Sequence, residues 1–256
     1  MSKKKQSQAP SIFFDEFAVT PPVTKAAKPY LPPKKAPSET AIVYCEDNFG
    51  GIDGKTANGL VRHSEKYKIL SIIDSEKSGQ DAGQVLDGKP NGIPIFENLK
   101  EALADAGRLP KNFIFGISPA TGMLSSIERR LLLEAIKQGM NIVNGLHEFL
   151  NDDPEFSAAS ARSQVIIRDV RKPRAKKDLR VFSGRIEDVT CPRIAVLGTD
   201  CAIGKRTTAT VMAAALKERG INAVIIVTGQ TGLIQGARYG LPLDAIPSKF
   251  CAGELE

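Results

Sequence analysis

Of the 256 residues none is tryptophan and only two, His63 and His147, are histidine. So few imidazoles exclude a histidine-rich metal centre, and any imidazole chemistry falls to one of those two positions. The four cysteines, Cys45, Cys191, Cys201 and Cys251, lie far apart and form no C-x-x-C pair, which argues against a zinc site and for a reduced compartment. No metal ligand set is expected. No apolar run approaches the ~18 residues that a bilayer-spanning helix needs. The chain opens on Lys3, Lys4 and Lys5 without the apolar core of a signal peptide, so a cytoplasmic location with no membrane partner is expected. A G-x-G-x-x-G fingerprint is missing too, which leaves a dinucleotide site without its usual signature.

The formal charge is +6, yet most of the excess is local. Residues 1–40 hold seven lysines against Asp15, Glu16 and Glu39, a balance of +4 that leaves +2 for everything after them. A second basic stretch, 168–180, has no interleaved aromatic residue and no recognisable reading helix. A solvated linker face explains it better than a nucleic-acid surface, and no nucleic-acid partner is expected. Seven of the sixteen prolines also fall in residues 1–40, which read as an extended basic tail with Ile12, Phe13 and Phe14 as its docking point.

From residue 41 short apolar runs alternate with amphipathic stretches. The pattern predicts strands over 41–45, 67–73, 93–95, 113–117, 141–143 and 164–170, with helices over 54–65, 97–106, 125–138 and 154–162. Such alternation with short loops implies an α/β fold, a Rossmann-like parallel sheet spanning 41–170 with ligands at the carboxyl ends of its strands. Several residues fall at those ends. After the first strand comes a glycine-rich loop with Gly50 and Gly51, where Gly54, Lys55 and Thr56 are candidate substrate contacts; the same glycines would serve a plain turn and helix start. Asp74 ends the second strand, where an acidic residue holds a ribose or caps the next segment. The small residues of turn 118–122 permit close approach of a ligand and equally make an ordinary loop. His147, just past the fifth strand, is a candidate general base or a hydrogen-bonded structural residue, and His63 reads as a cation near a helix C-terminus.

Residues 171–192 read as a linker to a second, P-loop domain over 193–256. An apolar strand over 193–197 feeds a glycine-bounded turn and a helix over 207–219. Gly198, Thr199, Asp200, Cys201, Ala202, Ile203, Gly204, Lys205, Arg206, Thr207 and Thr208 are the candidate cofactor-binding residues. The glycines let successive N–H groups face an anion, Lys205 adds a point charge, and the helix points its positive end at the same place. A Walker A loop has four residues between its glycines and a hydroxyl after its Lys; here five intervene and Arg206 stands in the hydroxyl's position. Such a cradle suits holding phosphates better than magnesium-assisted cleavage. A strand over 223–227 runs into a turn at 228–232 that should lie beside the first, making Gln230 and Thr231 candidate substrate contacts. With only two strands laid down and no later Walker B carboxylate, this domain is expected to be incomplete, a stub or one finished by further sequence.

Four stretches, GKTANGLVR at 54–62, GLHEFL at 145–150, DVRKP at 169–173 and GTDCAIGKRTT at 198–208, together resemble the D-glutamate N-acetyltransferase family. The resemblance covers about residues 41–256, and the last turn alone is also similar to dethiobiotin synthetase. It implies a Rossmann-like N-terminal and a P-loop C-terminal domain, and acetyl-CoA-dependent N-acetylation of an acidic D-amino acid, D-glutamate, with the loop gripping the cofactor's diphosphate. The acceptor amine must lose a proton before it reacts, for which Asp200 and His147 are candidate catalytic bases. Relative to the family this chain has a longer basic N-terminus and ends sooner. Alternatives are an ATP-dependent ligase or kinase with magnesium, a nucleotide-binding module without catalysis, and an NAD-dependent oxidoreductase on the Rossmann-like half alone. A small-molecule substrate and a homo-oligomeric state are expected.

Overall fold

The computed structural model describes residues 39–119, 122–200 and 203–256. The expected tail, with Ile12, Phe13 and Phe14, thus lies outside the described residues, except that Glu39 and Thr40 already belong to the first strand.

Six short segments, β1 (Glu39–Tyr44), β2 (Tyr67–Ile73), β3 (Ile95–Phe96), β4 (Asn112–Phe115), β5 (Asn141–Asn144) and β6 (Ile167–Asp169), form one sheet in the order β3-β2-β1-β4-β5-β6. Every neighbouring pair runs parallel. Ala41, Ile42, Val43, Phe113, Ile114 and Ile142 have no exposed surface, as a sheet covered by helices on both faces requires. The crossovers are α1 (Lys55–Arg62), α2 (Ala82–Asp87), α3 (Leu99–Asp105), α4 (Ser126–Lys137) and α5 (Pro154–Ser163). Local chemistry starts them: Ser125 and Glu128 form a capping box before α4, and Asp153 caps α5 with Pro154 at its first position. The short helix α2 was not among the expected elements; Asp81 caps it and Gly88 closes it in the left-handed conformation. The order of the strands reverses between β1 and β4, so loops from both open onto the same edge of the sheet.

The second half corrects the expectation. Residues 193–197 form no strand among the described residues, and Ile194 and Leu197 are 65% and 84% exposed. An extended segment without a paired neighbour has no ladder for its backbone groups, and water takes them instead. The expected strand over 223–227 shrinks to β7 (Ile226–Val227), paired in parallel with β8 (Tyr239–Gly240). The expected helix starts two residues early, as α6 (Lys205–Glu218). The turn at 228–232 is instead the start of α7 (Gln230–Gln235), which packs across α1, with Ile234 joining the main core. Gln230 and Thr231 therefore face the Rossmann-like domain rather than sitting in a sheet beside the P-loop turn. The linker is tied down by α8 (Ser248–Leu255): the Glu254 carboxylate accepts from the Arg180 amide at 2.6 Å and pairs with Arg174.

Candidate functional site

A cleft of about 260 Å³ opens where the two halves meet, lined by Lys55, Ser118, Pro119, Gly122, Gly145, Leu146, His147 and Arg171. Its ionisable lining residues are Lys55, His147 and Arg171, all basic types. Lys55 is the first residue of α1, so the positive end of that helix adds to the same potential. Behind it Thr56 is buried, its hydroxyl 3.0 Å from that of Thr231 on α7, and Gly54 packs so closely that a Cβ would lie 2.1 Å from the Asn48 carbonyl oxygen. Of the three expected contacts in this loop, Lys55 alone lines the cleft. Gln230 sits behind the floor: a Cβ on Gly145 would come within 3.4 Å of its Cγ.

The loop that carries His147 is held from three sides. Asn144 donates to the Glu148 carbonyl and accepts from the Leu146 amide. Asp169, at the end of β6, accepts from Asn144, from the Leu150 and Asn151 amides and from the Asn151 side chain. Glu148 accepts from the Leu124 amide at 3.0 Å, fixing this loop to the one after β4. Partial burial, and next the Arg171 guanidinium, hold the His147 imidazole below its ordinary pKa, so at neutral pH it is an uncharged base. Arg171 is buried; its Nε donates to the Gly145 carbonyl at 2.6 Å and its Nη1 pairs with Asp244.

The glycine-bounded loop 198–208, expected to cradle phosphate, is the second part. Gly198 packs against Lys205, where a Cβ would lie 3.0 Å from Lys205 Cγ and 2.4 Å from Ile203 Cδ1; Gly204 has φ +92°. The left-handed backbone at Gly204 favours glycine. Lys205 turns its ammonium onto the carbonyl of Asp200, inside its own loop. Among the described residues no side-chain hydrogen bond caps α6, and amides at the start of a helix are suited to an anion. Thr207 and Thr208 are exposed, and Cys201 and Ala202 lie outside the described residues. Arg206 does not face the loop: its guanidinium binds Gln235 and lies over Gly59, and burial lowers its pKa. These residues fit a phosphate-bearing cofactor without Arg206.

At the switch point between β1 and β4 a larger cleft of about 660 Å³ is lined by Glu46, Asp47, Asp53, Glu97 and Glu128, with no Lys or Arg among its lining residues. Five carboxylates repel the pyrophosphate that a Rossmann crevice ordinarily takes. Asp74 has no exposed surface and accepts from the Phe49 amide at 3.1 Å and from Lys77, so it braces the loop rather than offering itself to a ribose. Cys45, fully buried at the end of β1, has its thiol pushed up by burial and then by Asp74, and stays protonated. Among the described residues no group of three or more His, Cys, Asp or Glu side chains could hold a metal ion, and no helix is long and apolar enough to cross a membrane.

Arg171, Asp244 and Gln235 escaped the residue-level reading. Arg171 lies within DVRKP, two positions past the end of a strand, which was its one visible signal; Asp244 and Gln235 had none.

Similarity to known proteins follows the same two halves. A family profile described as the DUF1611 Rossmann-like domain matches residues 75–173, and one described as the DUF1611 P-loop domain matches 180–256. A D-glutamate N-acetyltransferase of Tritonibacter scottomollicae is 34% identical over 74% of this chain and 55% of its own length. One from a Pseudoalteromonas species is 31% identical over 65% of this chain and 49% of its own. The chain thus spans about half the length of the curated relatives it matches. A crystal structure of a DUF1611 family protein from Anabaena variabilis superposes with a TM-score of 0.74 at 33% identity, covering 84% of this chain and 60% of that one. With the two profiles together matching more than half of its residues, the chain belongs to the DUF1611 family, the Rossmann-like and P-loop pairing to which the D-glutamate N-acetyltransferase resemblance pointed.

Proposed function

We propose that this chain holds acetyl-CoA through the 198–208 loop and D-glutamate in the basic cleft at the domain seam, and acetylates the amine. The observation that carries the reading is the lining of the cleft, Lys55, His147 and Arg171 with no carboxylate among them. An acidic amino acid brings two carboxylates and one ammonium. Lys55 and Arg171 supply charge for the carboxylates, Arg171 through a planar fork already oriented by Gly145. The nitrogen gives up two protons as its bond to the acetyl carbon forms and the carbon–sulfur bond breaks: the ammonium's first goes to solvent, and His147, uncharged at neutral pH, takes the second and passes it to the departing sulfur. When bound, acetyl-CoA supplies an acyl thioester, and Lys205 with the amides opening α6 holds its phosphates. Asp200, the other candidate base, lies in the exposed loop where its carbonyl holds Lys205.

Calorimetry of the chain against acetyl-CoA, ATP and NAD, with mass detection of N-acetyl-D-glutamate, tests the reading. Acetyl-CoA should bind the chain and fail to bind Lys205→Ala, and product should form only with the unaltered loop. Equal binding by both proteins, or ATP turnover without acetyl transfer, would overturn it.

A further inference from the structure

Asp244 comes from the second half of the chain, on the one-turn segment Leu243–Ala245, and its side chain is half exposed. Its carboxylate pairs with Nη1 of Arg171 and lies 3.9 Å from Nε2 of His147. It thus sits on two of the three groups assigned above to the substrate, while the cleft itself has no acidic lining residue. Arg171 is buried and anchored by its Nε, so its guanidinium must keep an acidic partner wherever Asp244 goes. Asp244, by contrast, can return to water at little cost.

Resting on the substrate reading above, we propose that Asp244 is a built-in stand-in for the side-chain carboxylate of the substrate. It neutralises Arg171 until a dicarboxylate displaces it, and Arg171 thereby selects acidic over neutral amino acids. A tethered competitor that leaves the guanidinium free about one tenth of the time lowers apparent affinity about tenfold. A neutral amino acid, its α-carboxylate held at Lys55, has no side-chain carboxylate to exchange for Asp244 and gains nothing from its removal.

Titration of the chain and of Asp244→Asn with D-glutamate and D-glutamine, by calorimetry, reads this directly. D-glutamate should bind about tenfold tighter to Asp244→Asn, with D-glutamine unchanged. Arg171→Met should bind the two amino acids alike. Asp244→Glu keeps the ion pair and should keep the unaltered affinities; where Asp244→Asn loosens the seam, the rise in melting temperature on adding D-glutamate should still exceed that of the unaltered chain. Unchanged or weaker D-glutamate binding by Asp244→Asn, with binding by the unaltered chain intact, overturns the stand-in and leaves a structural ion pair. D-glutamate binding to neither protein overturns the substrate reading as well.

Discussion

Replacing Gln235 by Ala should cost the protein about 3–5 kcal/mol of stability. The side chain is buried on α7, and its Nε2 donates to two carbonyls in the last turn of α1, Gly59 at 2.5 Å and His63 at 2.8 Å. Its Oε1 accepts from the buried side of Arg206. Truncation removes three hydrogen bonds at once. The Gly59 carbonyl keeps its bond from the His63 amide, whereas the His63 carbonyl and one desolvated guanidinium are left unsatisfied, at roughly 1–3 kcal/mol each with partial relief from entering water. Against a typical total of about 5–15 kcal/mol this is a large fraction. Urea denaturation gives the difference as a shift in midpoint at constant slope. Gln235→Glu sharpens the test, because it keeps an acceptor for Arg206 and removes both donors to α1; it should lose most of the same stability. A loss under about 1 kcal/mol for Gln235→Ala would refute the reasoning, since a single net hydrogen bond would then account for the residue.

Gly59→Ala should destabilise the same seam by about 1–3 kcal/mol, because its Cβ would lie 2.7 Å from Arg206 Nη2 and 3.0 Å from Gln235 Nε2; the same denaturation reads it. The His147 imidazole, lowered by burial and by Arg171, should titrate below its usual value of about 6.5 by NMR in a His63→Gln background. Since the folded state then binds fewer protons than the unfolded one, stability should fall as pH drops through that window, and Arg171→Met should move the titration upward. Asp153 accepts from the Glu155 and Phe156 amides and pairs with Arg129, whose hydrogen bond holds its carboxyl below the usual range. Asp153→Ala should cost about 1–2 kcal/mol at pH 7, and the difference should vanish in acid, as pH falls through the depressed carboxyl value. Asp87→Asn, which breaks an exposed pair with Arg62, should change stability by less than about 1 kcal/mol.

The Rossmann-like half was legible because its signals are local. Apolar runs and burial agree along β1 and β5, and caps such as Ser125 and Asp153 announce the helices within four residues. Where a strand was drawn too long, a neighbour decided: Gln164 takes a left-handed cap after α5, so β6 starts only at Ile167. The P-loop turn was legible for the same reason, since two glycines and a lysine specify a backbone shape without help from elsewhere. Residues 193–197 misled because an apolar run states a preference for extension and says nothing of a partner to pair with.

The sequence by itself determined the alternation of strands and helices, the glycine-bounded turn of the P-loop domain and the placing of Lys55 and His147 past strand ends. Only the tertiary structure decided that Arg206, read as part of the cradle, turns to Gln235 and Gly59, and that Arg171 meets Asp244. Arg171 and Asp244 are 73 positions apart, and the Gln235 that Arg206 binds reaches back 176 positions to Gly59. Periodicity and caps act over a few residues, whereas a contact across so long a loop exists only once packing of α7 on α1 has met the entropy of closing it.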